Sequence, residues 1–262
     1  MLSDITMMAH ERSRDLVLDG NPCHEEALEV AKMAGVDFIL NVTLDHCFKT
    51  TGVFAGDLEL AHAEAAAKVK SYVGVAVDGE YDIVVTHAGY VGINHYQAAK
   101  SAVAALGALK KDGHLIIIAD NKDQAGPVGS LAYRTCLQIL ALIGPEAFDR
   151  IVASKDWTFI PEQWQVQEWA KVFKRIPMRN FVYFAPQLDG RHWSGLPGVD
   201  GASFLDSARL AQPRFADAAE VVERGIAAIV EASKQRGEPE PRIAYLSDGP
   251  YGIPFRRGSP CL

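Results

Sequence analysis

The sequence is poor in the features that mark several common protein classes. Its four cysteines, Cys23, Cys47, Cys136 and Cys261, are scattered, and none makes a CxxC spacing. The pattern argues against a disulfide-framed secreted fold and fits a reducing compartment. No apolar run approaches the roughly 20 residues of a membrane helix. The first residues, with Asp4 and then Glu11, lack the long apolar stretch of a signal peptide. The expectation is a cytoplasmic protein with no membrane partner. Positive charge is also scarce. Lys and Arg number 26 against 33 Asp and Glu, a formal charge of −7, with no basic run or arginine stripe. Nucleic acid is therefore not an expected partner. There is no internal repeat and no low-complexity tract. GxGxxG after a strand, GxxxxGK(S/T), GxSxG and HExxH are all missing, and Gly89-Tyr-Val-Gly92 has the wrong spacing for a dinucleotide fingerprint. Asn41-Val-Thr43 matches a glycosylation acceptor but lies inside an apolar strand pattern.

What is present is a core. Hydrophobic residues make up 48% of 262, enough for one or two domains. Helical and strand patterns alternate nearly throughout, which argues α/β. Helices are expected over residues 24–34, 58–70, 95–110, 131–143, 161–174 and 216–236. Strands are expected over 37–44, 51–55, 82–88, 114–120, 180–185 and 242–246. Residues 73–80 read as a crossover between domains, 121–130 and 191–201 as loops, and 248–254 as a stiff turn.

One stretch carries candidate chemistry, Ile93-Asn94-His95-Tyr96-Gln97-Ala98-Ala99-Lys100. Asn94 is a good N-cap for an alanine-rich helix. Gln97 and Lys100 are three apart and share a face near the helix's positive end. A planar amide beside a cation suits a small carboxylate, at a strand-to-helix crevice where open α/β sheets bind ligands. The plain alternative is a solvated lysine and a surface glutamine. Ala104, Gly107 and Ala108 continue the line of Lys100, and residues so small suggest close packing there.

An ordered set of segments resembles the nickel-dependent lactate racemase family. They are Ala9-His10 after Thr6-Met-Met, Asp19-Gly-Asn-Pro22, Val36-Asp-Phe-Ile-Leu-Asn41, and Gly52-Val-Phe-Ala-Gly-Asp57 with Ala61-His62. Tyr96-Gln97-Ala-Ala-Lys100, Gln163-Trp-Gln-Val-Gln167 and Ser247-Asp-Gly-Pro-Tyr251 complete the set. The resemblance implies two α/β domains. Residues 1–76 would be part of an N-terminal cofactor-binding domain. Residues 77–262 would be a Rossmann-like substrate-side domain with a mainly parallel sheet. It also implies nickel in a pincer cofactor, a pyridinium mononucleotide bearing two sulfur donors.

The implied reaction is racemisation or epimerisation of a small, lactate-like 2-hydroxy acid. Its Cα–H is a poor acid beside an anionic carboxylate. Removal as hydride, while a base takes the hydroxyl proton, avoids a dianion and leaves a planar 2-keto acid. The electron-poor ring of the cofactor accepts the hydride, and the protein supplies positioning and charge. By resemblance His10 is the nickel ligand, Gln97 and Lys100 are the substrate-contacting pair with Lys100 on the carboxylate, Tyr96 contributes from the same turn, and Trp164 covers the site. On pattern alone His10 could be an exposed histidine in a frayed segment, and Trp164 a packing residue like Trp169. His24 and His62 lack ligand spacing, His46 reads as a strand-end turn, and His87 could line the crevice.

The chain also departs from the family. The Asp-x-x-Arg-Pro segment, two acid/base histidines and the cofactor-tethering lysine would fall before Met1. By resemblance the chain is therefore expected to be inactive unless an N-terminal part or a second chain supplies them. Tyr90-Val-Gly92 stands where a proline and an acid are expected. Two other readings remain: a non-catalytic binding or assembly subunit related to this family, and an unrelated Rossmann-like oxidoreductase or methyltransferase, against which the missing glycine fingerprint counts.

Overall fold

A computed structural model describes residues 5–45 and 47–256. His46 and Cys261 lie outside the described residues. The chain runs α1 (Ile5–Ala9), α2 (Pro22–Met33), β1 (Ile39–Leu44), β2 (Thr50–Gly56), α3 (Leu58–Val73), β3 (Gly74–Val77), β4 (Tyr81–His87), α4 (His95–Ala105) and β5 (Leu109–Ile118). It continues through α5 (Leu131–Ile143), α6 (Pro145–Val152), α7 (Gln163–Arg175), β6 (Phe181–Phe184), α8 (Gly190–Trp193) and β7 (Val199–Asp200). It closes with α9 (Ser207–Ala211), α10 (Ala218–Gln235), β8 (Ile243–Leu246) and β9 (Ile253–Arg256).

The fold is α/β, as expected. Its centre is a five-stranded sheet in the order β7-β6-β5-β4-β8, with every pair parallel. Strands of such a sheet are covered on both faces, so their sequences read as unbroken apolar runs rather than alternations. Ile83, Val84 and Val85 of β4 and Leu115, Ile116, Ile117 and Ile118 of β5 are all buried. One face packs against α4, α5 and α7 through Ala98, Ala102, Tyr133, Leu137, Trp169 and Phe173. The other packs against α10 through Val221 and Ile229. The chain leaves β4 toward β5 on one side and returns in β8 on the other. The carboxyl ends of β4 and β8 therefore flank the topological switch point, where open sheets of this kind hold ligands.

Several boundaries differ from the expectations. The helix expected to reach residue 110 stops at Ala105, and β5 starts at Leu109, earlier than the expected 114. Sheet pairing claims this backbone: Tyr81 N donates to Ala108 O at 2.8 Å, and Leu109 pairs with Tyr81. Residues 73–80 are not a bare crossover. They contain β3, which pairs in parallel with β9, itself at the end of the segment expected to be a turn. Buried backbone needs partners, and here each four-residue strand satisfies the other. Gly107 makes room for this pairing, because a Cβ there would stand 1.8 Å from Pro254 O. The loop expected over 191–201 contains the short α8, capped by Asp189, and the edge strand β7.

β1 and β2 form a separate antiparallel hairpin with α3 on one face, pairing Val42 with Val53. Among the described residues, no helix is long and apolar enough to cross a membrane.

Candidate functional site

The site grows from the first turn of α4. Asn94 is extended (φ −150°, ψ 170°), and its Oδ1 accepts the Gln97 N–H at 2.8 Å. Its Nδ2 donates to Asp123 Oδ2 at 2.6 Å, which fixes the cap in one orientation. The next two amides are also engaged: His95 N donates to Pro127 O at 2.9 Å and Tyr96 N to Val128 O at 3.0 Å. The first-turn donors that could have held an anion are thus bonded to the cap and to the 121–130 loop. Any carboxylate beside α4 must take its hydrogen bonds from side chains.

Under the same turn lies a packed aromatic layer. His95 is fully buried, stacked on Trp169 with centroids 4.7 Å apart and edge-on to Tyr183 at 5.0 Å. Its Nδ1 lies 2.8 Å from Tyr133 Oη, which accepts the Trp169 indole N–H at 2.8 Å. With Trp169 donating to that oxygen, the Tyr133 proton is available for Nδ1, which leaves the imidazole proton on Nε2. Nε2 has no partner among the described residues. Burial pushes the His95 pKa down to about 3, so the ring is neutral near pH 7. Burial likewise raises the Tyr133 and Tyr183 phenols. Tyr183 donates to Asn121 Oδ1 at 2.9 Å, and Asn121 donates to Gly92 O at 2.9 Å. The layer thus ties α4 and the 89–94 loop to β6, α5 and α7.

The structure brings some expected site residues together. Trp164 Nε1 donates to Tyr96 Oη at 3.1 Å, which joins α7 to α4. Trp164 is 40% exposed and stacks on Phe159, whereas Trp169 is wholly buried, so the two tryptophans of α7 are not equivalent. One turn beyond Tyr96, Lys100 is exposed and has no ion-pair partner among the described residues. It opens into a cleft of about 470 Å³ bounded by Arg14 and Asp15, by Gln165 and Glu168 of α7, and by Tyr251. Gln97 is half-buried and does not line that cleft; its Oε1 is buried and unpartnered among the described residues. His10 lines a different cavity of about 400 Å³, which Lys100 does not line. The two spaces share Ser13, Arg14, Asp15, Val103 and Ile253. The close packing expected along the Lys100 line is present beyond it: Ala104 and Ala108 are buried.

The sequence reading passed over the charged groups of the cleft. Glu168 lies four residues after Trp164, hence on the same face of α7, and Lys171 three further on. Lys171 Nζ donates to Glu168 Oε1 at 3.0 Å and to Ser13 O at 2.7 Å, pinning the segment after His10 to α7. Burial raises the Glu168 carboxyl, and Lys171 lowers it; Asp15 is exposed. The spacing of Trp164, Glu168 and Lys171 was the available signal, but an i,i+3 Glu–Lys pair resembles an ordinary surface pair.

The other histidines have defined places. His87 Nδ1 accepts the Gly89 N–H at 3.1 Å, and its Nε2 donates to Ser247 O at 2.8 Å. It braces the ends of β4 and β8 at the switch point, with both ring nitrogens used. His24 and His62 stack with centroids 5.1 Å apart. Among the described residues, no three His, Cys, Asp or Glu side chains gather as a metal cage. A group that brings its own sulfur and carbon donors asks the protein for a single imidazole. His10 is exposed enough to offer one. The Arg12 N–H, however, donates to His10 Nδ1 at 3.2 Å, which puts the ring proton on Nε2. Ligation through Nε2 needs that bond broken and the proton moved, so the residues fit such a group only after a local rearrangement.

The profile of the lactate racemase C-terminal domain matches residues 77–190. The lactate racemase of Lactiplantibacillus plantarum is 33% identical over 171 residues, covering 64% of this chain and 38% of that protein. The lactate racemase of Thermoanaerobacterium thermosaccharolyticum is 30% identical over 161 residues, covering 61% of this chain and 37% of that protein. The chain therefore matches less than two fifths of the length of these curated relatives. The solved lactate racemase apoprotein of T. thermosaccharolyticum shares the fold, with a TM-score of 0.69 at 21% identity, over 97% of this chain and 54% of that one. Residues 77–190 thus match the lactate racemase C-terminal domain, and the chain is similar to the C-terminal portion of that family's proteins.

Proposed function

We propose that this chain is the substrate-side portion of a 2-hydroxyacid racemase or epimerase acting on a small, lactate-like acid. The observation that carries the reading is Lys100. It is a cation without an ion-pair partner among the described residues, at the edge of a cleft, one turn from the Tyr96–Trp164 pair, in the residues that match the lactate racemase C-terminal domain. An ammonium left unpaired in a concave site is available for a ligand carboxylate. Tyr96 and Trp164 flank it with a polar edge and an apolar face. Gln97, whose buried oxygen has no donor among the described residues, would hold the substrate hydroxyl only with its side chain turned into the cleft. His10 would hold nickel in a pincer cofactor, which when bound would supply the hydride acceptor.

The test is racemisation. The protein as its own cells make it, loaded with nickel and the pincer cofactor, is incubated with single enantiomers of lactate, malate and glycerate, and the products are resolved by chiral chromatography. Interconversion of at least one pair is expected, with kcat/KM down at least about 100-fold in Lys100→Ala, the scale of a lost charged contact. No interconversion of any acid would overturn the reading. A second reading, a binding or assembly subunit of the same family, is favoured by the apolar outer face of β1–β2, where Leu40, Val42, Leu44 and Val53 are exposed. It predicts a stoichiometric partner in size-exclusion of the native protein.

A further inference from the structure

We propose that Tyr251 is a positioning residue of the Lys100 cleft. Its phenol oxygen holds the Tyr90–Val91 backbone and thereby fixes the wall that decides how long a 2-hydroxy acid fits beside Lys100. The inference rests on the 2-hydroxy acid reading of that cleft and adds a specificity element to it.

The loop after β4 uses its backbone donors one by one. The Gly89 N–H goes to His87 Nδ1 at 3.1 Å, and the Gly92 N–H to Ala88 O at 3.0 Å. The two between them, of Tyr90 and Val91, both donate to Tyr251 Oη, at 3.1 and 3.3 Å. Two consecutive amides of a tight loop thus converge on one side-chain oxygen from the far end of the chain. That single atom accounts for both donors.

Tyr251 is itself held in place. Gly89 is left-handed at φ +60°, and a Cβ there would stand 2.6 Å from Tyr251 Oη, so glycine lets the phenol lie against the turn. The ring stacks on Tyr90 with centroids 5.2 Å apart and planes 16° from parallel. Phe48, between β1 and β2, closes edge-on against Tyr90 at 5.8 Å. The segment that carries Tyr251 is tied to β4, because His87 Nε2 donates to Ser247 O at 2.8 Å.

Both partners of the contact reach the cleft. Val91 and Tyr251 line it together with Lys100, and so do Val103 and Ile253. A carboxylate held by Lys100 leaves the rest of the acid to this apolar lining. The place of Val91 in the lining depends on the two bonds to Tyr251. The phenolic proton has no acceptor among the described residues, so it is open to a ligand oxygen. Removal of Oη therefore acts on a ligand in two ways, through the wall and through a lost donor, while β4 and β5 keep their own pairing.

The first test needs no ligand. Amide exchange at Tyr90 and Val91 is followed by NMR in the wild-type protein and in Tyr251→Phe, which keeps the ring and removes the oxygen. Both amides should exchange at least about tenfold faster in the variant, with β4 and β5 unchanged. Unchanged exchange at these two amides, or equal acceleration throughout the sheet, overturns the proposal and leaves the racemase reading untouched. In the second test, L-lactate and L-2-hydroxyhexanoate are titrated by calorimetry into wild type, Tyr251→Phe and Val91→Ala. Loss of the phenolic donor weakens both acids alike, whereas loosening of the wall favours the longer one. The affinity ratio should move toward 2-hydroxyhexanoate by at least about fivefold in Tyr251→Phe, and in the same direction in Val91→Ala, whose two amides stay slow to exchange. A ratio unchanged in Tyr251→Phe overturns the specificity role, whatever Val91→Ala does. A wild-type protein that binds neither acid overturns the 2-hydroxy acid reading, and the specificity role with it.

Discussion

The central sheet and the β1–β2 hairpin are both made of short apolar strands, but they dispose of their apolar faces in opposite ways. In β4, β5 and β6 the side chains on both faces are covered, one set by α4, α5 and α7 and the other by α10. In the hairpin only one face is covered. That face, against α3, carries Asn41, Thr43 and Phe54, with the two threonine hydroxyls of Thr43 and Thr51 bonded at 2.9 Å. The opposite face carries Phe38, Leu40, Val42, Leu44 and Val53, all exposed, with Leu40 at 64% and Val53 at 61%. The more apolar face of the hairpin is the one in water. A contiguous apolar face of this kind marks an interaction surface rather than a finished exterior. Stability in this chain therefore resides in residues 81–246, and the hairpin contributes a surface.

The comparison breaks most visibly in the core. Ile117 is fully buried in β5, and Ile117→Ala is expected to cost about 2–5 kcal/mol, the range for a deep large-to-small change. Val42→Ala in the hairpin should cost no more than about 0.5 kcal/mol, as surface changes do. Urea unfolding of the two variants checks the contrast, and equal costs would erase the distinction.

A second probe uses pH. His95 is held neutral at the centre of the aromatic layer, with its pKa depressed to about 3 against 6.5 for the free ring. The unfolded chain therefore binds more protons than the folded one between these values. His95 contributes its full share above pH 6.5, and that share is lost as the pH falls toward 3, at about 1.4 kcal/mol per pH unit. Glu168 acts with the opposite sign, because its raised folded pKa favours the folded state as acid is added. A His95→Asn comparison isolates the ring. The stability gap between wild type and variant should narrow steadily below pH 6.5 in denaturation curves. A gap independent of pH would mean that the ring is not kept neutral by burial.

A third probe addresses the seam between the two regions. Only a glycine fits at position 107, where the Pro254 carbonyl occupies the space of a Cβ. Gly107→Ala should push β9 outward, at about 1–3 kcal/mol for an overpacked contact. Hydrogen exchange should then quicken at residues 74–77 and 253–256 while β4, β5 and β6 keep their protection. Uniform loss of protection would mean that the seam and the sheet unfold as one unit.

How far the sequence could be read follows the same division. Helix α5 falls on the expected 131–143, because Ser130 caps it and Gly144 ends it. The runs Ile-Val-Val and Leu-Ile-Ile-Ile announced buried parallel strands, and Asn94 announced α4. β3 and β9 were not legible: Gly74-Val-Ala-Val has no turn signal, and its partner lies far along the chain. The start of β5 was hidden because Lys110, Lys111 and Asp112 read as a helix end, while Asp112 in fact takes a left-handed conformation at φ 60°. In the site, the Asn94 cap could be seen from spacing, whereas of the Gln97–Lys100 face expected from spacing only Lys100 lines the cleft. The Tyr96–Trp164 bond and the Lys171–Ser13 bond could not, because each joins segments that only the fold brings together.

The smallest expected effect is the most diagnostic for the hairpin. Val42 stands opposite Val53 at the middle of the outer face, with its side chain in water. Val42→Lys places a charge there without touching the α3 side, so the unfolding free energy should change by less than about 0.5 kcal/mol. Association is where the substitution should act. A lysine on an exposed strand face opposes strand-to-strand and face-to-face docking. Sedimentation velocity over a range of concentrations should show less self-association, or loss of a co-purifying partner, in the variant. A stability loss of several kcal/mol without any change in sedimentation would mean that the outer face packs within the protein itself. The contrast between a covered sheet and an uncovered hairpin would then no longer hold.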